Sequence, residues 1–327
     1  MTTMDPPATG RPVGGPPATD RLAADYYEPP RLPPEVSAYS SVPDTLAPGA
    51  PAKVGVLDLG YARVGTRTEL VRRYQKTPLQ IMRPLYIDPA MPDMAFTYVM
   101  ATGGGIAQAD RYRQDLRCGP GTEAHFTTQA ATKVYRMEHD YAAQQIHLSA
   151  AEGAYVEYLP DPVIPFRGAR FHQSAVLTAD PGATVLYGET LTAGRLARGE
   201  RHDYTVLTSD LEIRRPDGTL LAADTLRLRP AHPGGVTGPA VFAGHDHVAS
   251  LFVVSARRPA IEVADTLHRA LARQDVLHGA SVLPHDCGAW VRILGSDQPR
   301  ISDAVRAAWD AVRLLLTGHH APDLRKP

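Results

Sequence analysis

Residues 103–137 read GGGIAQADRYRQDLRCGPGTEAHFTTQAATKVYRM, and after a short polar link residues 144–170 read QQIHLSAAEGAYVEYLPDPVIPFRGAR. The rhythm is strand, glycine turn, strand. Apolar and polar residues alternate along Glu123–Thr128 and along 155–159, as on half-buried strands. Between them lie Cys118-Gly119-Pro120-Gly121 and Glu152-Gly153-Ala154, where glycine takes positive φ at little cost. No nucleophile elbow, paired-cysteine motif or phosphate loop interrupts the stretch.

The same rhythm extends in both directions. Val54, Val56 and Leu59 begin a strand, 66–74 and 95–100 read as two more, and 79–86 is broken by Pro84, which marks an edge or a bend. Downstream, 171–178 and 184–191 flank the turn Ala179-Asp180-Pro181-Gly182, and Pro216-Asp217-Gly218 closes a hairpin. The turns at Gly121, Gly153, Gly182 and Gly218 recur about every thirty residues, the spacing at which stacked repeats are sought. Two helices are predicted near the end. Residues 260–274 carry Ile261, Ala264, Leu267 and Leu271 on one face; 302–316 carry Val305, Trp309, Val312 and Leu316, with Ser302 as cap and Gly318 as stop. Strands are predicted between them at 281–283 and 289–294. The expected class is mostly β, a stacked or helically wound scaffold with two helices toward the C-terminus; composition alone equally allows a sandwich.

Residues 1–50 form a separate regime. More than a third of the chain's 30 prolines lie there among scattered apolar residues, so a disordered Pro-rich arm without a packed core is expected, followed by one β-rich domain over 51–327. Tyr26-Tyr27 and Tyr39 stand out within it as a weak docking motif. On this reading, deleting the arm leaves folding intact.

A formal net charge of −1 gives no support for nucleic-acid binding, and no apolar run approaches the roughly 20 residues that span a bilayer. The first residues, MTTMDPPATGRPVGG, lack an apolar signal core, so a cytoplasmic location is expected. Cys118 and Cys287 are the only cysteines; neither a disulfide nor a zinc site is expected from them, although Cys118 could supply one soft ligand. The run Gly103-Gly104-Gly105 fails the dinucleotide fingerprint, because Gln108 stands where the third glycine belongs and a strand follows instead of a helix. A close backbone approach between packed strands explains the run better. GxxxxGK[ST] is absent, so no GTP or ATP hydrolysis is expected of this chain.

Several of these segments together resemble one family. The double glycine ending in Asp110, then GPG, TTQAATKVYR and VEYLPDPVIPF, then Leu186-Tyr187-Gly188-Glu189-Thr190, Gly194-Arg195 and Gly199-Glu200, are similar to the urease accessory protein UreD family, called UreH in some organisms. The similarity runs from about Val54 to the end. Ala109 departs from it, since the family carries glycine before the aspartate, and alanine resists positive φ. The resemblance implies a non-enzymatic scaffold with a helically wound β fold. Such a scaffold assembles with UreF and the GTPase UreG on the urease apoprotein and helps insert nickel through a water-filled passage. It implies no tightly bound cofactor, only transient nickel. Asp110, Glu189 and Glu200 match the family's acidic positions and are the candidate residues of that passage. Ni²⁺ accepts carboxylate oxygen, and a conduit that must release its ion suits isolated carboxylates.

Read from the residues alone, each of the three acids instead caps a turn or pairs with an arginine, with Arg111 beside Asp110 and Arg195 between Glu189 and Glu200. His245-Asp246-His247 and His319-His320 are secondary metal candidates without a third ligand at familiar spacing; exposed loop histidines are the favoured reading. Lys133, Tyr135 and Arg136 suggest surface contacts or ion pairs. Two other classes stay open: a β-rich hydrolase or isomerase using Asp110, Glu189 and Glu200, and a metal-independent interaction module.

Overall fold

A computed structural model describes residue 21 and residues 23–40, 53–233 and 235–326. Two sheets and a pair of helices stack in three layers. The first sheet has seven strands: β1 (Val54–Val64), β2 (Arg67–Lys76), β5 (Arg111–Cys118), β8 (Ala142–Ala150), β11 (Arg170–Ala179), β13 (Val206–Arg214) and β14 (Leu220–Leu228). The second has ten: β3 (Leu79–Gln80), β4 (Ala95–Ala101), β6 (Glu123–Thr128), β7 (Thr132–Val134), β9 (Tyr155–Tyr158), β10 (Val163–Pro165), β12 (Thr184–Thr192), β15 (His247–Val254), β16 (Leu277–Val282) and β17 (Gly288–Gly295). The helices are a single turn α1 (Pro34–Ser37), then α2 (Ala260–Leu271) and α3 (Gln298–Thr317).

The chain alternates between the sheets and so winds as a coil. β5, β8 and β11 pair in parallel in one sheet, and the strands that follow each of them, β6, β9 and β12, pair in parallel in the other. Glycine turns at the coil corners stack as the thirty-residue spacing predicts. The Gly121 amide donates to the Glu152 carbonyl (3.0 Å), and the Gly182 amide donates to the Glu152 carboxylate (3.0 Å). Gly218 differs: it closes the antiparallel β13–β14 hairpin. The expectation of a stacked β scaffold with helices toward the C-terminus holds.

One core lies between the sheets, where Leu116, Ile146 and Leu177 meet Phe126, Val156 and Val185. A second lies between the ten-stranded sheet and the helices, where Leu186, Leu251 and Val291 meet Leu267, Ile301 and Val312. Full burial of each such side chain stabilises by about 1.5–3 kcal/mol. β15 is buried at all eight residues because both faces are covered, so its sequence HVASLFVV lacks the alternation that flags a half-buried strand.

Boundaries differ where tertiary pairing decides them. The 79–86 segment pairs as a strand only at Leu79–Gln80, with a single further bridge from Leu85 to Phe96. α2 stops at Leu271, and α3 begins four residues before Ser302, with Asp297 at its cap position, since Pro299 fits the first turn of a helix. Gly318 ends α3 at φ 78°, as predicted. Among the described residues no helix is long and apolar enough to cross a membrane.

The arm needs a correction over residues 23–40; the rest of it, apart from residue 21, lies outside the described residues. Tyr26, Tyr27 and Val36 are buried against the outer face of the seven-stranded sheet. Tyr26 donates its hydroxyl to Asp115 (2.5 Å), and burial followed by that carboxylate pushes its pKa up to about 12. Arg113 donates to the Tyr26 carbonyl (2.7 Å) and Gln145 to the Tyr27 carbonyl (2.8 Å). A proline-rich segment is short of amide donors but keeps its carbonyls, and here the charged outer face of the sheet supplies the donors. The docking motif read at Tyr26-Tyr27 is used within the chain itself.

Candidate functional site

Parallel pairing sets polar residues side by side on the inner face of the seven-stranded sheet. Tyr112, Gln144, Gln173 and Ser209 occupy one register rank across β5, β8, β11 and β13. Opposite them, β12 turns Tyr187 and Glu189 inward and β9 turns Tyr158 inward. Gln144 donates to Gln173 (3.3 Å), Gln173 and Ser209 donate to Glu189 Oε2 (3.3 and 3.0 Å), and Tyr158 donates to Gln114 (3.3 Å). Tyr158 and Tyr187 stack with ring centroids 5.5 Å apart.

All of these except Ser209 line a cavity of about 230 Å³ between the sheets. One mouth is formed by Gly103–Gly105 and residues 128–133. Gly105 is required there, since a Cβ would sit 2.6 Å from the Lys133 carbonyl oxygen. The glycine run is thus a close backbone approach, as its sequence indicates. A second cavity of about 30 Å³ shares Val163, Gln173, Glu189 and Thr190 with the first and reaches Ser250 and Arg292. The two cavities adjoin, with Glu189 on the wall of both. The lining is mostly apolar with a few polar side chains grouped around Glu189, and the larger cavity has room for several waters.

Glu189 faces this space beneath covering protein. Burial pushes its carboxyl above the usual range, against the Ser209 hydrogen bond. Gln173 and Ser209, which donate to it, are both neutral. A buried carboxylate held by neutral donors attracts a cation and releases its proton when one arrives.

The other two acids have different surroundings. Asp110 lies behind the wall: Tyr112, which lines the cavity, donates to its Oδ2 (3.2 Å), as does the Ala107 amide (2.7 Å). Burial raises the Asp110 carboxyl despite these bonds. Ala109, beside it, holds φ 63°, the left-handed turn for which glycine is suited. Ala109→Gly should therefore stabilise the fold by about 1 kcal/mol, read as a higher denaturation midpoint. Glu200 is absent from the cavity wall and accepts from Arg195 Nε (2.8 Å) and the Arg167 amide (3.3 Å). The bonds from Arg195 hold its carboxyl below the usual range. So Glu189 lines both cavities, Asp110 holds the wall residue Tyr112, and Glu200 is tied to arginine.

The secondary candidates do not assemble. His245 is half-buried near Ser296 (3.4 Å), and His247 is buried at the start of β15, which corrects their reading as exposed loop histidines. His319 is exposed and His320 bonds Asp310. Burial pushes the Cys118 thiol up to about 12, far from thiolate chemistry, and Cys118 and Cys287 are both free. Lys133 and Tyr135 border the glycine run. Among the described residues, no three His, Cys, Asp or Glu side chains are gathered so as to hold a metal ion. Sequence reasoning missed Gln114, Gln144, Gln173, Tyr158 and Ser209; only the parity of their strands in the paired sheet could have marked them.

Comparison with known proteins agrees with this architecture. The family model described as UreD urease accessory protein matches residues 53–327. Urease accessory protein UreD 2 of Streptomyces griseus subsp. griseus is 68% identical over 293 residues, covering 89% of this chain and 100% of the relative. Urease accessory protein UreD of Cenarchaeum symbiosum is 34% identical, covering 86% and 99%, and UreD 2 of Methylorubrum extorquens 35%, covering 85% and 91%. With the matched region spanning both sheets and the terminal helices, this chain belongs to the UreD family of urease accessory proteins, non-catalytic factors of urease maturation.

Proposed function

We propose that this chain is a scaffold that carries nickel ions, as cargo, through the passage between its sheets toward the urease apoprotein. The observation that supports it most is the pair of adjoining cavities between the sheets, with the buried Glu189 carboxyl on the wall of both. Neutral amide and hydroxyl groups replace part of an ion's hydration, and one buried carboxylate supplies attraction without the multidentate cage that would trap it. Asp110 supports the wall by fixing Tyr112, and Glu200 secures the nearby loop through Arg195.

The complex would include UreF, UreG and apourease in the cytoplasm. Since the chain has no phosphate-loop motif, the energy of GTP hydrolysis comes from UreG in this reading. A hydrolase or isomerase built on Asp110, Glu189 and Glu200 is disfavoured by their separate surroundings. The test is reconstitution of urease from apoprotein, UreF and UreG at limiting nickel, with and without this chain. Urease should stay poor in nickel without it; equal loading in both arms would overturn the proposal.

A further inference from the structure

Residues 23–40 cover one end of the outer face of the seven-stranded sheet. Tyr26 and Tyr27 pack there on Val54 and Val56, and Val36 on Ala143 and Val206. At the other end of the same face, a groove of about 600 Å³ lies open among the described residues. Its floor is one register rank across five strands: Arg72 of β2, Gly60 of β1, Arg117 of β5, Ser149 of β8 and Thr178 of β11. Neighbouring strands lie about 4.8 Å apart, so the rank is about 19 Å long, the span of about six extended residues. Pro120 and Pro216 stand at its walls.

Val71 joins the groove through an irregularity in β2, the edge strand of the sheet. The pairing steps from Gly60–Arg72 to Tyr61–Leu70, so Val71 is left without a partner and bulges. It is 59% exposed. A bulge re-aims a side chain, and here it sets an apolar one at the rim of the groove.

The charge at this end is one-sided. The fully buried Asp58 carboxylate accepts from Arg21, Arg72 (2.8 Å) and Arg117. Arg21 is also committed to the Tyr74 ring, 4.1 Å from its guanidinium carbon. One carboxylate cannot balance three guanidiniums. Arg72 and Arg117 each spend one nitrogen on Asp58, and both line the groove with further N–H donors. Asp180, the acid on the wall, accepts from the Glu152 amide (2.8 Å).

We propose that this groove docks an extended segment of a partner protein in the maturation complex, with a carboxylate for Arg72 and Arg117 and apolar side chains for Val71 and the two prolines. It rests on the scaffold role proposed above and gives that scaffold a contact surface. A carboxylate fits because guanidinium presents paired N–H donors to it, and these two guanidiniums are largely withdrawn from water. A small anion would use the arginines and leave the apolar length empty, whereas a purely apolar segment would leave the positive charge unmatched.

The test is binding of the full-length chain to purified UreF, UreG and apourease, each in turn, by calorimetry. Val71→Glu, at an exposed position, and Ser149→Glu, on the floor, set a negative charge where the partner's carboxylate would lie. Each should weaken one of the three interactions at least about tenfold, and Ser149→Ala should leave it unchanged. Should Ser149→Glu misfold, Val71→Glu carries the test. A photo-cross-linking amino acid at position 149 then identifies the occupant. A cross-link to an acidic, apolar-flanked segment of the weakened partner supports the proposal; one to residues 1–20 of this chain, or to a second copy, overturns it. Binding that survives both glutamate variants removes the groove alone. Failure of the unaltered chain to bind any of the three would instead overturn the scaffold role, and the groove with it.

Discussion

Arg313→Met is expected to lower stability by about 3–5 kcal/mol. Arg313 is fully buried within α3, between two carboxylates. Its Nη1 donates to both oxygens of Glu157 (3.1 Å each), and its Nη2 donates to Asp88. Glu157 also accepts from His125 (2.7 Å), Tyr155 (2.7 Å) and Trp309 (2.9 Å). Methionine fills the volume but leaves two buried carboxylates without their cation, and an uncompensated buried charge costs far more than the intact pair contributes. The pH dependence has a definite sign. Burial pushes the Glu157 carboxyl up, but the His125 hydrogen bond and the Arg313 charge outweigh it and hold the group at about 2, below its ordinary 4.5. A depressed carboxyl contributes stability above its ordinary pKa and loses it as pH falls toward the folded value. The gap between the two proteins should therefore be widest near neutrality and narrow between about pH 4.5 and 2. Denaturant midpoints at several pH values measure this, and equal midpoints near neutrality would show that the arginine is not needed there.

Glu189→Gln is expected to slow nickel loading of urease by roughly tenfold or more while leaving the fold and the complex intact. Two unit charges about 4 Å apart interact by roughly 1 kcal/mol in water and about 4 kcal/mol at an effective dielectric of 20, and a divalent ion doubles either figure. Since about 1.4 kcal/mol is a factor of ten, the loss survives considerable screening. Glutamine keeps the shape and the acceptor oxygen for Ser209, so the change tests charge and not packing. Burial raises the Glu189 carboxyl, so neutralising it should not lower the melting temperature. Loading by the unaltered protein should rise as pH climbs through that raised value, because the ion must displace a proton. Asp110→Asn should act more weakly, through Tyr112, and Glu200→Gln should disturb the Arg195 loop instead. Nickel content of urease at limiting metal is the readout; loading by Glu189→Gln at the unaltered rate would remove this carboxylate from the passage.

The three acids show how far the site was legible. Their motifs stand in the sequence, and the resemblance marked all three alike. Their roles divide only in the fold. Arg195 lies five residues from Glu200 and claims it, as a pairing between neighbours in sequence had suggested. Glu189 takes its hydrogen bonds from Gln173 and Ser209 because β12 turns it inward beneath the β11 and β13 ranks, and Arg292 acts on it only as a charge across the second cavity.

Local chemistry was enough for the β class, the stacked glycine corners, the hairpin at Gly218 and the stop of α3 at Gly318, because turns and caps are decided by a few adjacent residues. It also pointed to the close backbone approach at Gly103–Gly105. The inner face was not legible. A strand such as RYRQDLRC has polar residues on both parities, and period two says which residues share a face but not which face is inside. Only pairing with β1 and β8 turns Tyr112 and Gln114 inward and Arg113 and Asp115 outward. Residues 23–40 carry no periodic signal, yet they pack because the sheet beneath offers donors to their carbonyls. Lys326 meets Asp161 across 165 residues of chain, a pairing that no local rule contains and that the third dimension alone supplies.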